Sequence, residues 1–148
     1  MPTSSNLTLR VSLLATTYDN HVLMVRDEST DDDAWTLPGG TVPAGECPVR
    51  TAQRFAVEQT GYFQPFDYAL SVSLETDTDG ELTGVEYLLD GGQTGTVPTE
   101  ADALHVSARW QPMSELLESR PAVQHALLAL ARGERVPVLV NGEQPNAD

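Results

Sequence analysis

Apolar residues recur at two-residue spacing in some stretches of the chain and at three- or four-residue spacing in others. Residues 7–15 carry Leu7, Leu9, Val11, Leu13 and Leu14, a mixture of alternation and continuity that predicts a buried strand. Asp19-Asn20 predicts a turn, and residues 21–26 a returning strand. An acidic loop follows over 27–33, then a short extended piece, Trp35-Thr36-Leu37, ended by Pro38-Gly39-Gly40, with loop continuing over 41–45. Pro48 opens a helix, since its missing N–H would be unpaired in a first turn anyway, and Gly61 closes it in the left-handed conformation. Val49, Ala52, Phe55 and Ala56 make that helix's apolar stripe. Residues 63–76 and 81–89 predict two strands around the turn string Asp77-Thr78-Asp79-Gly80. A loop over 91–102, a strand over 104–111 and a short helix over 114–119 come next. A second helix over 121–132 shows Val123, Leu127 and Leu130 on one side, followed by a short strand over 136–140 and a frayed tail over 141–148. Interspersed strands and helices with hairpins predict an α+β domain, a mixed sheet flanked by helices.

The 148 residues suit one domain, with a core over about 7–133. Eight arginines and no lysine face 22 acidic residues, a formal net charge of -14. That balance excludes charge-driven binding of nucleic acid or an anionic membrane. A lone cysteine, Cys47, forms neither an internal disulfide nor a cysteine-based zinc site. No apolar run is long enough to span a bilayer and no secretory leader is recognisable, so a cytoplasmic location is expected, as monomer or homodimer.

One stretch carries chemistry. Trp35-Thr-Leu-Pro-Gly-Gly40 is followed by Glu46 and by Arg54-Phe-Ala-Val-Glu-Gln-Thr-Gly-Tyr62. This resembles the Nudix signature, G-x5-E-x7-R-E-U-x-E-E-x-G-U, where U is bulky and apolar. Gly40, Glu46, Arg54, Glu58 and Gly61 fall in register without insertion or deletion. The segment Arg109-Trp-Gln-Pro-Met-Ser-Glu-Leu116 is similar to the stretch before the family's last helix. The resemblance implies an α/β/α sandwich around a mixed sheet, with a loop-helix-loop box. It also implies hydrolysis of a nucleoside diphosphate linked to another group, with Mg²⁺ or Mn²⁺ held by glutamates of the box helix. Divalent cations neutralise the anionic transition state and activate water, and hard oxygen ligands suit them.

Two of the family's three helix glutamates are replaced here, by Phe55 and Gln59, and Glu58 alone remains as candidate metal ligand and catalytic residue. Phe55 cannot ligate a cation, and Gln59 offers only a neutral oxygen. The scaffold positions survive. Arg54 and Glu58 pair across one turn and Glu46 reaches the same guanidinium, which predicts a buried or half-buried ion network. Glu86, Asp90, Glu100 and Asp102 are the acids available to stand in for the missing ligands, and Glu86 and Arg109 are the ligand-binding candidates. His21, His105 and His125 lack metal-ligand spacing. Three readings stay open. One is a degenerate Nudix protein with hydrolysis weak or lost that still binds a nucleotide-like ligand, with Mg²⁺ or Mn²⁺ needed only if it is active. The second is a divergent active hydrolase using Glu58 and acids outside the box. The third is a protein-interaction module.

Overall fold

The computed structural model describes residues 7–26, 35–61, 68–94, 107–116, 120–139, 141 and 142. Its centre is a parallel pair, β1 (Thr8–Thr17) beside β6 (Leu82–Thr94), in register from Thr8↔Gly84 to Thr17↔Thr94. The other edge of β1 is shared. Arg10, Val11 and Ser12 pair antiparallel with β4 (Gly39–Thr41), and Thr16 pairs with Val22 of β2 (His21–Arg26). Strand β2 takes β3 (Trp35–Thr36) at its end and β7 (Ala108–Pro112) along its length. Beyond β6 lie β5 (Tyr68–Thr76) and the short β8 (Val136–Pro137), both antiparallel. One parallel pair in an otherwise antiparallel set makes the sheet mixed, as expected.

The alternation of β1 separates two cores. Val11 and Leu13 pack with Leu89 against Val49, Ala52 and Ala56 of α1 (Pro48–Thr60). Leu14 packs with Leu88, Val22 and Met24 against Val123, Ala126 and Ala129 of α2 (Pro121–Arg132). The result is helix, sheet, helix. Pro48 sits in the first turn of α1, and Gly61 ends it at φ 78° with its N–H on the Val57 carbonyl. No helix among the described residues is long and apolar enough to cross a membrane.

Several boundaries differ from the sequence pattern. Residues 39–41, expected as loop, form β4 because β1 pairs with them, β1 itself runs on to Thr17, and β8 stops at Pro137. Strand β6 runs five residues past Leu89, through Gly91 and Gly92, because β1 supplies partners to Thr94. The register shift between Leu14 and Thr16 absorbs the extra residue there, with Gly92 at φ 88°. The inner face of α2 is Val123, Ala126 and Ala129, with Leu127 and Leu130 only partly buried. The helix expected over 114–119 is a 3-10 turn, Met113–Leu116, with 117–119 outside the described residues. The acidic loop over 27–33, Tyr62, Glu100, Asp102, His105 and the tail over 143–148 also lie outside them.

Candidate functional site

Strand β4 is the hinge of the site. Its first residue, Gly39, has φ 150°, and a Cβ there would lie 2.1 Å from the Val11 carbonyl oxygen, so only glycine fits. The Gly39 N–H donates to Gln59 Oε1 at 3.0 Å, and Gln59 Nε2 donates to the Gly39 carbonyl at 2.8 Å. A primary amide carries both donor and acceptor, so it engages both backbone groups of one residue, as the paired residue of a neighbouring strand would. Next along, a Cβ on Gly40 would come within 3.2 Å of the Phe55 ring. The missing side chain at 40 is therefore the space the ring occupies. The Arg54 guanidinium lies over that ring, 5.5 Å from its centroid.

Arg54 also joins the two scaffold glutamates, Nη1 to Glu46 Oε1 at 3.0 Å and Nε to Glu58 Oε1 at 3.4 Å. The Thr51 hydroxyl donates to the same Glu46 oxygen at 2.9 Å. The pairing is as expected but its setting is not. The side chains of Arg54, Glu46 and Glu58 are 45%, 37% and 57% exposed, so the network is solvated. The inward stripe of α1 is filled by Val49, Ala52 and Ala56, which leaves the charged residues on its flank.

Across β4 from α1, on the α2 face of the sheet, opens a cleft of about 790 Å³. Gly39 and Gly40 form its border with the box. One end is polar, with Arg10, Ser12, Glu75, Glu86 and Arg120. The other is apolar, with Met24, Leu37, Leu116 and Val123, and Trp35 borders it. Glu86 is 2% exposed, yet its carboxylate is satisfied. The Ser12 hydroxyl donates to it at 2.8 Å, and Arg120 donates through Nη1 at 2.5 Å and Nη2 at 3.0 Å, a two-pronged pair. Burial pushes this carboxyl up. The Arg120 and Ser12 hydrogen bonds and the charges of Arg120 and Arg10 outweigh burial, so it is held below the ordinary carboxylate range. The Glu86 hydrogen bond in turn raises Arg120.

A family model described as the NUDIX domain matches residues 7–131. The chain belongs to the Nudix family. Among solved structures it resembles a NUDIX hydrolase from Nitrosomonas europaea, with 20% identity over 89% of this chain and 93% of that one and a TM-score of 0.63. It is also similar to the MutT protein of Methanosarcina mazei Go1, with 19% identity, 89% and 99% coverage and a TM-score of 0.59. A third likeness is the NUDIX domain of Shewanella oneidensis NrtR complexed with ADP ribose, at 23% identity, 86% and 87% coverage and a TM-score of 0.57. At these identities the likenesses show the fold. Sequence comparison with curated proteins gives no match.

A Nudix metal site needs converging carboxylates, and this box does not fit one. Phe55 offers no ligand, the Gln59 amide is committed to Gly39, and Glu58 is exposed and paired with Arg54. No group of three His, Cys, Asp or Glu side chains converges among the described residues. Of the acids weighed as replacements, Glu86 is taken by Arg120 and Asp90 by Arg135, whose Nε lies 2.5 Å away. Arg109 sits over the Trp35 ring at 5.7 Å, and the cleft is lined by Trp35 and not by Arg109. The pattern singled out Glu86, but Arg10, Ser12 and Arg120 went unnoticed as its neighbours. A signal existed for two of them, since Arg10 and Ser12 alternate with the apolar Leu9, Val11 and Leu13 and so share one face of the strand.

Proposed function

We propose that this Nudix protein binds a nucleotide-like ligand in the cleft beside β4 and that its metal-dependent hydrolysis is weak or lost. The observation that carries the reading is the box itself. Where the family resemblance implies metal-holding glutamates, an aromatic ring packs on Gly40 and a neutral amide clasps Gly39. Pyrophosphate hydrolysis in such a fold depends on cations that neutralise charge and activate water, and one solvated glutamate is a poor anchor for them. The cleft is of a size that takes small ligands. The NrtR domain, solved with ADP ribose, supports the ligand class.

The test measures turnover and melting temperature with ADP-ribose, with and without MnCl₂. ADP-ribose should raise the melting temperature, since it binds only the folded chain. Turnover should fall far below the usual range of about 1–10³ per second. Phe55→Glu combined with Gln59→Glu should make the melting temperature respond to Mn²⁺, which the parent should not do. Ordinary turnover in the parent, abolished by Glu58→Gln, would establish the divergent hydrolase instead. No response to ADP-ribose or ADP would leave the interaction module.

A further inference from the structure

We infer that the cleft reads the phosphate of its ligand through Arg10 and Arg120, with no divalent cation between protein and anion, and that the ligand is a nucleoside mono- or diphosphate. The inference rests on the ligand reading above and names how that same cleft would recognise its occupant.

The sheet places the two arginines at one end. Arg10 of β1 stands directly opposite Glu86 of β6 in the parallel pair, and Glu86 holds Arg120. Side chains of directly paired residues share a face, so Arg10, Glu86 and the guanidinium of Arg120 gather there with Ser12. Glu86 takes one N–H from each terminal nitrogen of Arg120, which fixes the plane of the guanidinium, while the Arg120 side chain as a whole stays 54% exposed. The remaining N–H groups are left for a ligand. Arg10 is exposed, makes no hydrogen bond or ion pair among the described residues, and acts on Glu86 through its charge alone. Two forked cations, one pre-oriented and one free, match phosphate oxygens in a way that needs no metal.

Charge makes the same point. A chain carrying -14 repels anions at long range, so a cleft for one must gather its own cations. Beyond the arginines, the core residues Met24, Leu116 and Val123 floor the cleft, and the partly exposed Leu37 and Trp35 offer the apolar surface that suits a flat base. The remaining charged group of the cleft opposes the anion. Glu75 lines the mouth as an exposed carboxylate. Its sign therefore provides a control.

The experiment is calorimetric titration of ADP into the full chain, in EDTA and in MgCl₂ at matched ionic strength. The two dissociation constants should agree within about twofold. Arg10→Gln should weaken binding about tenfold or more, the loss expected for charge-assisted hydrogen bonds. Glu75→Gln should tighten it. Both positions are exposed, so an unchanged melting temperature certifies that the variants fold. Binding seen only with Mg²⁺, or an Arg10→Gln variant as tight as the parent, overturns the inference while leaving the ligand reading standing. Absence of binding by ADP and ADP-ribose in both buffers overturns the ligand reading itself.

Discussion

One nitrogen separates glutamine from glutamate, and at position 59 that nitrogen decides what the side chain does. The amide closes two hydrogen bonds on Gly39, whereas a carboxylate would accept from the N–H and face the carbonyl with no donor. Glu86 shows the converse, a charge kept ionised in a buried place by its neighbours. Its folded pKa lies below the unfolded one, so it adds stability above the ordinary carboxylate range and loses it as pH falls through the folded value. Arg120→Ala removes the main opponent of burial, and the carboxyl then moves upward. Near neutral pH the variant should lose about 1–3 kcal/mol, toward the low end because water screens a half-exposed guanidinium. Below about pH 4 proton uptake by Glu86 should narrow the gap. Urea midpoints at both pH values check this, and a gap that stays constant would mean that Arg120 stabilises by packing alone. The sequence exposed Glu86 as an acid in a strand but hid its partner, because a contact between residues 34 apart is made by sheet register and helix placement.

At the scale of elements, the caps of α1 were legible because their chemistry is local: Pro48 in the first turn, Gly61 at positive φ. Its apolar stripe was legible in part: the structure buries Val49, Ala52 and Ala56 as the spacing requires but leaves Phe55, the fourth member, only partly buried. What spacing does not reveal is how much water reaches the residues on the flank. Arg54 and Glu58 are neighbours by helical geometry whether the neighbourhood is wet or dry. A dry network would cost about 3–5 kcal/mol to break. With the three side chains 37% to 57% exposed, Arg54→Ala should cost no more than about 1 kcal/mol. A thermal melt resolves the two cases, and a shift of many degrees would restore the dry network. The far end of β6 was hidden for another reason. Glycines at 91 and 92 read locally as loop, while the pairing of Asp90, Gln93 and Thr94 to β1 on either side of them, invisible in sequence, keeps the strand running.

For the whole molecule, the Nudix signature made the layered architecture legible, because the resemblance it carries implies the family's sandwich and the family match spans residues 7–131. The cleft was less legible, since it is assembled from all of β1 to β6, the 3-10 turn and α2. The net charge is a property of the molecule that sequence gives in full, and it sets two salt responses of opposite sign. Fourteen excess negative charges repel one another in the compact state. Salt screens them, with a Debye length of about 10 Å at 0.1 M. Melting temperature should therefore rise between about 20 mM and 300 mM NaCl, and MgCl₂ at matched ionic strength should add little. Affinity for ADP should fall over the same range, because the attraction of Arg10 and Arg120 for phosphate is screened as well. A neutral cleft would give the first response without the second. Stabilisation by micromolar Mn²⁺, beyond what NaCl provides at the same ionic strength, would reveal a specific cation site and return the weight to Glu58 as a working ligand.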